Sequence, residues 1–204
     1  MGGDMKLLFP SVIHEIKVKN FRSIKQELID YVYDQQQRDP KGVNFSNMGG
    51  WQSQPIYFKN KNILSSTVIE TLESYFDNDV LSEGGGFDIN GLWININKKG
   101  DYNATHDHPN CHLAGVFWIK SSKECGNFEC QSPHSFSSGA EISVYTDEFR
   151  EKTNCYGSYG FLPIEGTIML FPASINHRVT PNQSDEDRIS SSFNIMLRSP
   201  HFRA

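Results

Sequence analysis

Four residues of this chain have the types and spacing for metal chemistry. His106 and His108 stand one residue apart, His177 lies far downstream, and Arg188 comes eleven residues after that. If Thr105-His106-Asp107-His108-Pro109 is extended, the twofold alternation of a strand puts both imidazoles on one face and Asp107 on the other. His177 follows the apolar run Thr167–Phe171, which reads as a buried strand, so a third imidazole can arrive from elsewhere in the fold. Neutral imidazoles bind iron well, usually beside a carboxylate. H-x-H alone is a weak motif, and each histidine taken singly reads as an ordinary hydrogen-bonding side chain. A local twist could also present Asp107 as a ligand, with His106 or His108 supporting it. Alternation from Arg188 puts Ser190, Ser192 and Asn194 on its face. An arginine pointing inward needs a partner, either a protein acid or a bound carboxylate held bidentately.

The elements that must position these residues change character along the chain. Residues 5–12 and 13–18 read as a short N-terminal strand region. Asn20 is a plausible helix cap, and Phe21, Ile24, Leu28, Ile29, Tyr31 and Val32 recur at helical spacing to about Gln37, where Pro40 and Gly42 follow. Residues 46–53 read as a turn-rich loop around Trp51. A second helix is expected from about Asn62 to Phe76, and Gly84-Gly85-Gly86 as a flexible break. From Asp88 the pattern alternates, with Leu92, Ile94 and Ile96 opposite Trp93, Asn95 and Asn97. Short runs follow at 113–119, 127–130, 141–145, 167–171 and 189–197, separated by turn residues, which is the pattern of a sandwich or barrel. Residues 132–139 and 180–187 read as mobile loops. The expected fold is mainly β: a jelly-roll core over 87–198, supported by the helical and strand region 1–86, in a single domain of 1–204.

Composition narrows the function classes. A net charge of -5 with no basic run argues against nucleic acid as a partner. No window approaches a membrane span and no signal peptide is evident, so a cytoplasmic protein is expected. Cys111, Cys125, Cys130 and Cys155 lack metal-site or disulfide spacing and read as free thiols, with a zinc site from Cys125, Cys130 and His134 the less favoured reading.

The pattern as a whole resembles the Fe(II)/2-oxoglutarate oxygenases of the prolyl-hydroxylase-like, double-stranded β-helix kind, and most closely a family found in marine bacteria and their phages. The residues that carry the likeness are Gly49-Gly50-Trp51-Gln52-Ser53, Trp93-x-Asn95, His106-x-His108-Pro109-Asn110, Leu113 to Trp118, and Gly126-x-Phe128-Glu129. Leu170 to Asn182, around His177, and Arg188 to Asn194 complete it. The resemblance implies Fe(II) held by His106, His108 and His177, with 2-oxoglutarate chelating it. It further implies Arg188 and Ser190 on the distal carboxylate, Asn95 and Asn97 as cosubstrate contacts, and O2-dependent hydroxylation with release of succinate and CO2. The prime substrate would be a small molecule or a peptidyl residue such as proline, and free sheet edges leave a homodimer open. In the wider superfamily the second ligand is Asp or Glu, and here it is His108, which leaves the centre more positive. Two readings compete: a cupin-type enzyme with three histidine ligands, and a non-catalytic jelly-roll binding module.

Overall fold

The alternating stretch that begins near Asp88 builds the central strand of the larger sheet. In the computed structural model, which describes residues 7–58, 61–77, 80–134 and 143–200, β4 runs Gly86–Asn97. Its neighbour β11 (Arg188–Arg198) pairs with it antiparallel over most of its length. The remaining elements are β1 (His14–Lys17), α1 (Phe21–Arg38), β2 (Asn47–Met48), β3 (Trp51–Gln52), α2 (Ile63–Phe76), β5 (Tyr102–His106), β6 (Leu113–Lys120), β7 (Phe128–Gln131), α3 (Asp147–Thr153), β8 (Ser158–Phe161), β9 (Thr167–Pro172) and β10 (His177–Val179). They form two antiparallel sheets: a larger one ordered β1-β9-β6-β11-β4-β3 and a smaller one ordered β2-β5-β10-β7-β8.

The two faces of the larger sheet are chemically distinct, as strand alternation requires. Leu92, Ile94 and Ile96 turn outward with Phe117, Ile168, Leu170, Ile189 and Phe193 and are covered by the helices through Leu28, Val32, Leu64, Val68 and Leu72. Each of those five helical side chains is fully buried, worth roughly 1.5–3 kcal/mol apiece in removed apolar surface. The opposite face looks toward the smaller sheet, and its β6/β9 half is apolar: Ala114, Val116, Trp118, Met169 and Phe171 pack with Phe128, Ile175 and Val179.

Both long helices fall where the apolar spacing puts them. Asn62 caps α2 reciprocally, its side chain accepting from Ser65 N while the Ser65 hydroxyl accepts from Asn62 N. Asn20 also stands at a helix start, but in a left-handed backbone and without a side-chain cap. Elsewhere the expectations need correction. The N-terminal strand is only His14–Lys17, with Leu7, Leu8 and Phe9 exposed outside it. Residues 46–53 are not merely a loop. They form a hairpin whose β2 joins the smaller sheet and β3 the larger, turned by Gly49 and Gly50 at positive φ. The expected strand at 141–145 is absent from its described part, where residues 143–145 form a turn leading into α3; 141 and 142 lie outside the described residues, as do 135–139 of the expected mobile loop.

Candidate metal centre

β5 and β10 pair antiparallel with His106 directly opposite His177, so two imidazoles from distant sequence meet across one ladder. The strand carrying His106 ends there. His108 lies just beyond it, fixed by its own N–H donating to the Ala173 carbonyl at 2.9 Å. Ring-nitrogen atoms of all three histidines lie within 4.8 Å of one another. His106 Nδ1 donates to the Ala104 carbonyl at 2.7 Å and His177 Nδ1 to the Ile175 carbonyl at 2.9 Å, which leaves Nε2 of each as the free nitrogen. His108 Nε2 stands 3.3 Å from His177 Nε2. Two nitrogens each about 2.1 Å from one ion, at a right angle, are about 3 Å apart. The donor set therefore fits a metal ion. Asp107 is exposed and takes no part in the cluster.

The surroundings keep His177 and His108 neutral. Burial first, then the neighbouring His106, holds His177 down to about 3 and His108 down to about 4, with the Asn194 carboxamide pulling His108 the other way. Trp93 stacks on His108 at a centroid distance of 5.9 Å, while Phe171 and Phe128 close in on His177 at 4.6 and 5.4 Å.

Beside the imidazoles the β11/β4/β3 half of the same sheet face is polar. Strand pairing sets Arg188 beside Asn97, and sets Trp118, Ser190, Asn95 and Gln52 abreast across four strands. Arg188 is 1% exposed. One of its terminal nitrogens donates to the Cys125 and Thr180 carbonyls and the other has no partner. The internal salt bridge considered from sequence is not there, since none of the ion pairs among the described residues involves Arg188. Burial lowers its guanidinium to about 10, against the charges of Cys125 and Asp101, so it remains cationic at neutral pH. Asn97 lacks partners at both amide atoms, as do Asn95 at Oδ1, Gln52 at Oε1 and Trp118 at Nε1. Asn95 otherwise donates to Ser192 at 3.2 Å. So many unpaired polar atoms in one buried patch call for a bound polar ligand.

Sequence reasoning named His106, His108, His177, Arg188, Ser190, Asn95 and Asn97 for one site; the structure sets His106 and His177 on the smaller sheet, His108 just after β5, and the other four on β4 and β11 of the larger sheet. From sequence, Gln52 and Trp118 are named only among the residues that carry the family likeness and are given no place in the site, since that needs the register of β3 and β6. Asn182, which closes one of the segments of that likeness, otherwise reads as part of a mobile loop and is given no role. Asn182 is fully buried; it donates to the Asn97 and Glu186 carbonyls and accepts from Ser184, which pins the 180–187 loop beneath Arg188.

Two sheets cupping a three-imidazole centre and a buried, unpaired arginine define a double-stranded β-helix of the oxygenase class. Residues 91–194, just over half of the chain, match the model of the family described as "Putative 2OG-Fe(II) oxygenase", and the chain belongs to that family. It is thus a 2-oxoglutarate-dependent oxygenase, with Fe(II) as its metal and 2-oxoglutarate and O2 as cosubstrates. No curated protein matches the sequence. Among solved structures the fold is similar to a Pseudomonas putida prolyl-4-hydroxylase (TM-score 0.60, 10% identity, covering 90% of this chain and 92% of that one). It is similar also to the collagen prolyl hydroxylase of Paramecium Bursaria Chlorella virus-1 in complex with 2-oxoglutarate (TM-score 0.56, 13% identity, 92% and 96% covered). A third is HygX from Streptomyces hygroscopicus, solved with nickel, 2-oxoglutarate and hygromycin B (TM-score 0.61, 9% identity, 91% and 83% covered).

Proposed function

We propose that this oxygenase hydroxylates a C–H bond of a peptidyl residue or of a small molecule, with His106, His108 and His177 as the iron ligands. The observation that carries the reading is the convergence of three imidazoles in the same interior as a buried guanidinium that has no protein acid to neutralise it. When bound, the iron supplies oxidative decarboxylation of 2-oxoglutarate to succinate and CO2, coupled to oxygen insertion into the substrate.

The chain's own residues do the rest. Arg188 and Ser190 take the distal carboxylate, the free guanidinium nitrogen and the hydroxyl both donating to it. Asn95 and Asn97, with unpaired amide atoms on the next strand, line the cosubstrate's flank. The Ala104 and Ile175 carbonyls hold two ligand rings in the orientation that offers Nε2 to the metal. Phe128, Phe171 and Met169 keep water from the side of the centre away from the polar row. Two of the similar folds are prolyl hydroxylases and a third holds hygromycin B, which supports a peptidyl or small-molecule substrate.

The test is an anaerobic titration of metal-free protein with Fe(II) and then 2-oxoglutarate, following the visible charge-transfer band. A band that needs both additions, is absent in His177→Ala and weakens in Arg188→Ala supports the reading. Iron binding without a band points to a cupin-type enzyme, and no iron binding leaves a binding module.

A further inference from the structure

Counting charge at the centre leads to the class of substrate. An imidazole binds a metal as the neutral ring, so three of them add nothing to the 2+ of Fe(II); Arg188 adds one more positive charge and 2-oxoglutarate removes two. One positive charge is left over, where a carboxylate ligand in the place of His108 would have removed it. No Asp or Glu is buried among the described residues, so the interior does not supply the missing negative charge. The carboxylates whose charge reaches His108 and Arg188 are those of Asp107 and Asp101. Asp107 is exposed, and Asp101 accepts from Lys98 N at 2.8 Å at the half-buried edge. Glu129, next to Cys130 on β7, is already paired with Arg178 at 2.6 Å.

An unbalanced charge beside half-buried His106 and His108 and buried His177 is unfavourable, and a ligand that neutralises it is correspondingly favoured. The polar half of the cup does not oppose such a ligand. Arg188 apart, its side chains are carboxamides, hydroxyls and an indole N–H, and among them Asn97 Nδ2 and Trp118 Nε1 are buried donors without a partner. Resting on the oxygenase reading above, we propose that the prime substrate is a monoanion, and that its carboxylate lies against the centre in place of the charge a carboxylate ligand would have supplied.

The experiment uses the full chain loaded anaerobically with Fe(II) and 2-oxoglutarate, at an ionic strength held with perchlorate. Acetate, its neutral isostere acetamide, and chloride are each titrated while the charge-transfer band is recorded. The expected result is a saturable band shift with acetate, at roughly tenfold or more lower concentration than with acetamide or chloride. In His108→Asp, which restores the missing charge, acetate affinity falls by about tenfold or more with the 2-oxoglutarate band retained. Should that variant lose iron, Asn194→Asp places the charge beside His108 without replacing a ligand, and the same fall is expected. Equal response to acetate and acetamide, no response to acetate, or unchanged acetate affinity in both variants overturns the proposal. Tighter binding of chloride than of acetate overturns it too, by assigning the missing charge to a free inorganic ion. A wild-type protein that gives no band with iron and 2-oxoglutarate fails at the oxygenase reading instead.

Discussion

Arg188 shows how much one buried side chain can say about a ligand. A guanidinium carries five N–H donors in a fixed fork, and here one terminal nitrogen is engaged by two carbonyls while the other is buried without a partner. Charge-assisted hydrogen bonds contribute about 1.5–3 kcal/mol each. Arg188→Ala should therefore weaken 2-oxoglutarate about 10- to 100-fold while leaving Fe(II) affinity within a few-fold, read as the two dissociation constants from anaerobic titration. Equal loss of both would mean that Arg188 supports the fold and not the cosubstrate. The imidazoles make a second argument at this scale. His177 and His108 titrate near 3 and 4 in the folded protein because burial disfavours their charged forms, against 6.5 when unfolded. As pH falls below about 6.5 the unfolded chain takes up protons that the folded one refuses, so stability drains away toward pH 4 and is unaffected by these groups above 6.5. The melting temperature of the metal-free protein should fall over that window, and fall less steeply in His177→Asn. A slope that the substitution leaves untouched would place the pH sensitivity elsewhere.

At the scale of elements, the centre depends on loops that meet beneath it. The Thr180 carbonyl that receives Arg188 belongs to a segment held by Asn182 and by Asn127, whose N–H donates to the Thr180 hydroxyl at 2.7 Å. Gly126 sits at φ +83°, and a Cβ there would stand 2.4 Å from the Thr180 carbonyl oxygen. Gly126→Ala and Asn182→Ala should thus displace the arginine's acceptor and raise the 2-oxoglutarate dissociation constant, with iron affinity nearly unchanged. If Asn182→Ala lowers the melting temperature yet binds 2-oxoglutarate as wild type does, the loop serves the fold alone. This element was not legible in the sequence, because Thr, Pro, Asn, Gln and Ser in a row read as turn residues wherever their partners lie. The helices and β4 were legible, since a strong local period fixes which face is buried without reference to anything distant. The β2–β3 hairpin was not: each strand is two residues long, too short for a period, and exists by pairing with β5 and β4. The histidines fell between these cases. Their types suggested a metal, but the match of His106 to His177 is a fact of long-range register.

The whole molecule divides its labour between the two faces of one sheet. Outward, the larger sheet and the helices form an apolar layer whose central side chains are fully buried. Inward, half of the face is packed and half is left polar, with unpaired groups that a fold selected for stability alone would have satisfied or removed. The unfavourable polar desolvation on one side is offset by the apolar layer on the other, and strand alternation keeps the two chemistries on separate residues of the same strands. Truncation on the outward face should accordingly lower stability without altering the chemistry of the cup. Leu28 touches the layer from α1 and is fully buried, so Leu28→Ala should destabilise by about 2–5 kcal/mol. For a chain of this length that is a fall in melting temperature of about 2–4 °C per kcal/mol. The position of the charge-transfer band and the 2-oxoglutarate dissociation constant, measured well below the melting transition, should stay at their wild-type values. If the dissociation constant moves with the melting temperature, the helices set the shape of the cup as well as its stability.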